Sequence, residues 1–267
     1  MTSLTVSIIQ PDLKWEDKSA NLQMLEDRIM SLPLTELVVL PEMFSTGFSM
    51  RPESLAESME GASVQWMKQV ASRKKIILTG SLIIEENGLY FNRLIWMLPN
   101  GQYGQYDKRH LFGYASEHEH YAAGNKRLIA SVNGWKINLQ VCYDLRFPVW
   151  SRQANNPADQ PDEVLPEYDM LIYVANWPER RSHAWKTLLQ ARAIENQCFV
   201  AGVNRVGSDG NGIFHNGDSM IIDPLGEPLI HLQKDKSSYT LTLDGQKLDE
   251  VRKKLPFLKD GDGFLIM

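Results

Sequence analysis

Ser81-Leu82-Ile83-Ile84-Glu85-Glu86-Asn87-Gly88-Leu89-Tyr90-Phe91-Asn92-Arg93-Leu94-Ile95-Trp96-Met97 decides the architecture. The runs Ser81–Glu85 and Tyr90–Met97 are rich in β-branched and aromatic residues, which favour strands. Asn87-Gly88 between them suits a type I′ turn, because both residues tolerate positive φ. A further strand is expected over Lys75–Thr79, and Asn100-Gly101 gives a second turn before Tyr103 and Tyr106. Tight antiparallel connections of this kind interrupt the βα rhythm of a purely doubly wound sheet. Two mixed sheets with helices outside fit better.

Outward from this block, helices and strands alternate. Thr5–Ile9 and the apolar run Glu36–Leu40 read as strands, and the second is continuous enough to be covered on both faces. Ser19–Leu32 and Ser63–Arg73 carry apolar residues at helical spacing. Trp135–Val141, Met170–Ala175, Phe199–Val203, Ser219–Ile222 and Tyr239–Leu243 read as strands, and Asp223-Pro224-Leu225-Gly226 as a turn. His183–Gln197 reads as a helix with Ser182 as its N-cap. Asn155–Pro166 looks like an exposed insertion rather than a domain boundary, so one domain over residues 1–267 is expected. Gly207-Ser208-Asp209-Gly210-Asn211-Gly212 lacks the Gly-x-Gly-x-x-Gly spacing and reads as a turn.

The chain has 267 residues, 43% hydrophobic and 23% charged, which suits a globular protein with a sizeable core. A net charge of −5 argues against a nucleic-acid partner. No apolar run approaches the ~20 residues that span a bilayer, and the first residues lack the pattern of a signal peptide. Two cysteines supply no disulfide framework, so a reducing cytoplasm is the expected compartment.

Three expected strand ends carry reactive side chains. Glu42 follows Leu37-Val38-Val39-Leu40-Pro41, where desolvation would raise its pKa toward that of a general base. Lys108 lies in Tyr106-Asp107-Lys108-Arg109-His110-Leu111-Phe112 and would serve a developing oxyanion. Cys142 lies in Leu139-Gln140-Val141-Cys142-Tyr143-Asp144-Leu145-Arg146-Phe147-Pro148, an apolar strand running into a charged turn. Taken singly, each has a plainer reading: a solvated glutamate, a basic surface loop, a buried core thiol. Cys198, in Gln197-Cys198-Phe199-Val200, has no polar cluster after it and reads as structural.

Together these blocks resemble those of the nitrilase, or carbon–nitrogen hydrolase, superfamily. Pro41-Glu42-Met43-Phe44, the segment Asp107–Phe112 and the segment Val141–Pro148 are similar to its three catalytic blocks, in the same order. Ala175-Asn176-Trp177-Pro178, Ala191–Asn196 and Gly202–Gly207 extend the resemblance over nearly the whole chain. It implies an α/β fold, a four-layer α-β-β-α sandwich. It also implies Glu42 as general base, Lys108 as oxyanion donor, Cys142 as nucleophile and the Tyr143 backbone N–H as a second oxyanion donor. A second glutamate is expected in the loop after the lysine. Glu117 fits the spacing to Gly124, with Glu119 as the alternative register.

Within the superfamily, Glu42-Met43-Phe44-Ser45-Thr46-Gly47-Phe48-Ser49-Met50, Asn176-Trp177-Pro178 and His183-Ala184-Trp185 most resemble the omega-amidase branch. That branch cleaves the terminal amide of 2-oxoglutaramate or 2-oxosuccinamate, giving a 2-oxo acid and ammonia. No cofactor or metal is implied, and the partners are the small-molecule amide and water. The substrate carboxylate needs a cation, for which Arg146, Arg180 and Arg181 are candidates, while Phe48 and Trp177 are candidate pocket walls. Nitrile hydrolysis and carbamoyl-amide hydrolysis are the neighbouring alternatives, and a non-catalytic small-molecule-binding protein is a distant one. His110, His118 and His120 beside Glu117 and Glu119 invite a zinc reading, but the run lacks a metal-binding helix pattern. Superfamily members form homodimers, and the apolar segment from about Leu255 to Met267 is a candidate for packing at such an interface.

Overall fold

The computed structural model describes residues 2–153, 166–264 and 266. The strands are β1 (Leu4–Gln10), β2 (Leu37–Val39), β3 (Ile77–Glu86), β4 (Leu89–Met97), β5 (Tyr103–Asp107), β6 (Leu128–Val132), β7 (Trp135–Val141), β8 (Met170–Val174), β9 (Phe199–Val203), β10 (Val206–Ser208), β11 (Phe214–Asn216), β12 (Ser219–Ile222), β13 (Pro228–Leu232) and β14 (Ser237–Leu243). The helices are α1 (Lys18–Ser31), α2 (Pro52–Leu55), α3 (Ala62–Lys74), α4 (Glu117–His120), α5 (Pro148–Ser151), α6 (Ser182–Asn196) and α7 (Gly245–Lys254).

One six-stranded sheet runs β14-β1-β2-β3-β4-β5, and the other β13-β12-β9-β8-β7-β6. Each has three parallel strands at its centre, β1-β2-β3 and β7-β8-β9, with antiparallel strands toward the edges. The β3–β4 hairpin turns on Asn87 and Gly88, at φ 55° and 77°, as a type I′ turn requires.

The layers follow from the two-residue period of the strands. Val6, Ile8, Leu37 and Val39 of the first sheet face Ile137, Leu139, Ile172 and Val174 of the second, forming the central core. Their neighbours point the other way. Val38 and Leu78 pack against Leu25 and Ile29 of α1 and Val64, Met67 and Val70 of α3. Leu171, Tyr173 and Val200 pack against Trp185 and Leu189 of α6. Strands buried on both faces read as continuous apolar runs for this reason. The result is the four-layer α-β-β-α sandwich.

Two local expectations are corrected. Residues 77–86 form one strand, not two separated at Gly80. A Cβ on Gly80 would lie 2.8 Å from Phe44 and 2.9 Å from Leu40, so this glycine admits the turn after β2 against the sheet rather than breaking the strand. Ser182 is the first residue inside α6, not its N-cap; its hydroxyl donates to Asp218 and Arg181 occupies the cap position. The expected insertion at Asn155–Pro166 lies outside the described residues except for Pro166. Near the C-terminus, Leu258 is buried and Phe257 is exposed. Among the described residues, no helix is long and apolar enough to cross a membrane.

Candidate active site

Three strands, two from the first sheet and one from the second, deliver their loops to one end of the sandwich. Glu42 arrives after β2, Lys108 after β5 and Cys142 after β7. Glu42, Lys108 and Glu117 have no solvent exposure, and Cys142 is half-buried.

Lys108 is the hub. Its ammonium donates to Glu42 Oε1 at 2.9 Å and to Glu117 Oε1 and Oε2 at 3.0 and 2.8 Å. Glu42 Oε2 accepts the backbone N–H of Asn176 at 2.8 Å, and Glu117 Oε2 accepts that of Phe112 at 2.6 Å. Buried charges persist only when paired and hydrogen-bonded, and this cluster meets that condition. The two carboxylates hold the Lys108 pKa above its ordinary value despite burial. Burial raises the Glu117 pKa, opposed by Lys108 and reinforced by Glu42. Glu117 and not Glu119 is therefore the second glutamate of the cluster. Glu119 is exposed and lies beside His118.

Cys142 begins a short helical turn, Cys142–Arg146, at φ 44°. A non-glycine residue in this left-handed region is strained, and such strain persists only where surroundings enforce it. Asp144 supplies the enforcement. Its Oδ2 accepts the Val141 N–H at 3.0 Å and the Tyr106 hydroxyl at 2.7 Å, while Oδ1 accepts the His110 N–H at 2.9 Å. Burial, helped by Glu42 and Glu117 and opposed by Lys108, pushes the Cys142 thiol well above its usual pKa. Cys198 is wholly buried within the cluster beneath α6 and stands apart from the site.

A cavity of about 470 Å³ opens over Cys142. Phe48, Tyr143, Arg146, Trp177, Arg180 and Arg181 all line it. Phe48 also places its ring centre 5.1 Å from the Lys108 ammonium. The three arginines lie on aromatic faces: Arg146 on Trp177 at 4.9 Å, Arg180 on Tyr114 at 5.8 Å and Arg181 on Phe112 at 5.1 Å. Among the described residues, none of the three pairs with a carboxylate. Arg51 also reaches the cavity, but Glu16 neutralises it. Burial lowers the Arg181 pKa, and its neighbours Arg180 and Arg146 lower it further.

The three histidines do not converge. His110 is bound to Asp144 and stacks on Phe147, and His118 is exposed. Among the described residues, no group of His, Cys, Asp and Glu could hold a metal ion. Sequence reasoning passed over Asn92, Asp144 and Asn176. Asn92 lies within the strand Tyr90–Met97, and an amide among apolar residues on a strand is itself a signal that something buried needs it.

The model of the carbon–nitrogen hydrolase family matches residues 5–253. The omega-amidase YafV of Escherichia coli K12 is 42% identical over 266 residues, covering 99% of both chains. The 2-oxoglutaramate amidase of Bacillus subtilis is 33% identical over 260 residues, covering 96% of each. Among solved structures, XC1258 of Xanthomonas campestris, a carbon–nitrogen hydrolase superfamily protein with an arsenic adduct in its active site, superposes with a TM-score of 0.96. It is 43% identical, and all of both chains is covered. Nit3 of Saccharomyces cerevisiae, at 24% identity, shares the fold with a TM-score of 0.81 over 96% of this chain and 95% of its own. The chain belongs to the carbon–nitrogen hydrolase family. Within that family it is an omega-amidase-like amidase.

Proposed function

We propose that the chain hydrolyses the terminal amide of a 2-oxo dicarboxylate monoamide, 2-oxoglutaramate or 2-oxosuccinamate, through a thioester on Cys142. The carrying observation is the set of three arginines in the cavity over that cysteine without carboxylate partners among the described residues. Arg146 and Arg181 are half-buried and Arg180 is exposed at the rim, and a half-buried guanidinium without a counter-charge is a receptor for a planar anion. The names of the Escherichia coli and Bacillus subtilis relatives support the same substrate class.

Glu42 takes the Cys142 proton as the thiolate attacks the amide carbonyl. The ammonium of Lys108 and the Tyr143 backbone N–H, at the start of a helical turn and without an intrahelical acceptor, stabilise the oxyanion. The C–N bond breaks as Glu42 returns the proton to the leaving ammonia. Water then attacks the thioester, Glu42 takes its proton, and the departing thiolate recovers that proton as the 2-oxo acid leaves. Glu117 keeps Lys108 charged and aimed. Phe48 and Trp177 wall the substrate, and Arg146, Arg180 and Arg181 receive its carboxylate. A free thiol nucleophile suits a reducing compartment, the cytoplasm. A homodimer with the segment from about residue 255 at its interface is the proposed assembly.

The test is ammonia release from 2-oxoglutaramate, from uncharged butyramide and from a nitrile panel, with intact-mass analysis of the acylated protein. Preferred turnover of 2-oxoglutaramate with a Cys142 adduct is expected. Preferred turnover of butyramide or of nitriles overturns the substrate assignment.

A further inference from the structure

Between the two buried glutamates lies one side-chain amide. Asn92, on β4, has no solvent exposure. Its Nδ2 lies 2.8 Å from Glu42 Oε1 and 3.2 Å from Glu117 Oε1. An amide nitrogen carries two hydrogens, one for each carboxylate. The Lys108 backbone N–H donates to the Asn92 carbonyl at 3.0 Å, so the same residue also fixes where the lysine leaves its strand.

The orientation of this amide is dictated by its neighbours. Turned over, its oxygen would face two carboxylates and repel both. As it stands, Oδ1 is buried without a partner among the described residues. An unsatisfied buried acceptor is costly, and its persistence needs a reason. Aiming both N–H groups at Glu42 and Glu117 is that reason. One lysine does not balance two buried carboxylates, and the two Asn92 hydrogens add to the backbone N–H groups of Asn176 and Phe112 that each already accepts.

We propose that Asn92 is a positioning residue of the amidase. It gives one hydrogen to Glu42 and one to Glu117, and so holds both carboxylates in place around Lys108. This rests on the reading of Glu42 as the base. The other ionisable groups facing the pair are Lys108 from the end of β5, Cys142 from the end of β7 and Tyr121 beyond α4. None of them can replace Asn92. Lys108 already donates to both carboxylates, the thiol gives up its only proton, and the Tyr121 hydroxyl donates to the Ser49 carbonyl at 2.6 Å.

Two substitutions separate this role from simple filling of space. Asn92→Ala removes the amide, whereas Asn92→Asp keeps its shape and puts an acceptor where the donor stood. The pH profiles of kcat and kcat/KM on 2-oxoglutaramate, thermal melts and the control Glu42→Gln complete the test. For both Asn92 variants, kcat is expected to fall about 10- to 100-fold, less than the roughly 10²- to 10⁴-fold of losing an acid–base group outright because Glu42 itself remains, with KM changed less than about threefold. The acid limb should move to higher pH, because a carboxylate that loses a donor binds its proton more tightly. If Asn92→Ala does not fold, Asn92→Asp decides alone. Parent-like kcat and acid limb in Asn92→Asp overturn the positioning role, as does a loss of activity with an unmoved limb. An active Glu42→Gln instead overturns the underlying assignment of the base.

Discussion

The Asp144 carboxylate holds His110 twice through one oxygen: Oδ1 lies 2.9 Å from the His110 backbone nitrogen and 2.8 Å from its Nδ1. His110 belongs to the lysine loop and Asp144 to the cysteine turn, so one buried carboxylate fastens the two halves of the site across the sandwich. The Tyr106 hydroxyl, itself accepting from Trp150 Nε1 at 2.9 Å, completes the joint. Asp144→Asn keeps the volume but turns an NH2 group toward N–H or O–H donors. A hydrogen bond to a charged group contributes about 1.5–3 kcal/mol. A stability loss of about 2 kcal/mol is expected, read as a lower melting temperature. A fall in kcat of at least about tenfold should accompany it, as the strained Cys142 turn loosens. An unchanged melt would show that the carboxylate does not carry this load.

The two cysteines should part completely under alkylation. Cys142 lines the cavity, while Cys198 is wholly buried. Iodoacetamide on the native protein is expected to add one group, at Cys142, with activity lost in step. Cys142→Ala should abolish turnover and Cys198→Ala should retain it. Peptide mapping and ammonia release check both, and equal loss from the two substitutions would remove the nucleophile assignment.

Much of this was legible in the sequence, and for a physical reason. Strands covered on both faces write themselves as apolar runs, so Leu37–Val39, Trp135–Val141 and Phe199–Val203 were placed within a residue or two. The positions of Glu42, Lys108 and Cys142 followed from strand ends, and their convergence from the resemblance. What stayed hidden depends on contacts distant along the chain. The strand was read as two pieces on either side of Gly80, because nothing in its neighbourhood along the chain announces Phe44 lying against it. The choice between Glu117 and Glu119 was a matter of which side chain turns inward on a single helical turn, and Phe112 and Lys108 decide that. Asp144 looked like one more charge in a charged turn, since its partners come from the other sheet, Tyr106 from β5 and His110 from the loop after it.

His215 should make the fold sensitive to acid. Burial, and then the nearby Arg205, lower its pKa to about 4. The ordinary value is about 6.5, so between pH 6.5 and 4 the unfolded chain binds a proton that the folded chain refuses. Stability therefore falls as pH drops through that window and rises as pH climbs through it, by about 3 kcal/mol in all. His215→Gln, neutral throughout, should flatten the melting temperature across this interval. A slope as steep as the parent's would place the acid sensitivity elsewhere. Direct titration of the imidazole by NMR should give a midpoint near the lowered value.

Gly124 tests how closely the loop bearing Glu117 must approach the lysine. Its N–H donates to the Lys108 carbonyl at 2.9 Å, and a Cβ placed on it would lie 2.1 Å from the Asp107 carbonyl oxygen. Neither atom is the end of a flexible side chain. Gly124→Ala must therefore displace backbone at the point where β5 delivers Lys108, and overpacking of this kind costs about 1–3 kcal/mol. Catalysis should suffer more than folding. Hydrogen bonds of 2.8 to 3.0 Å hold Lys108 between Glu42 and Glu117, and a shift of about 1 Å in such a site costs about 100-fold in rate. Gly113→Ala is the control on the same loop, because its Cβ would meet only the His118 ring at an ordinary 3.6 Å. Melting temperature and kcat/KM for the pair should diverge, with Gly113→Ala near the parent in both. Parent-like activity in Gly124→Ala would mean that the loop can retreat without moving Lys108, and the close backbone approach would lose its functional meaning.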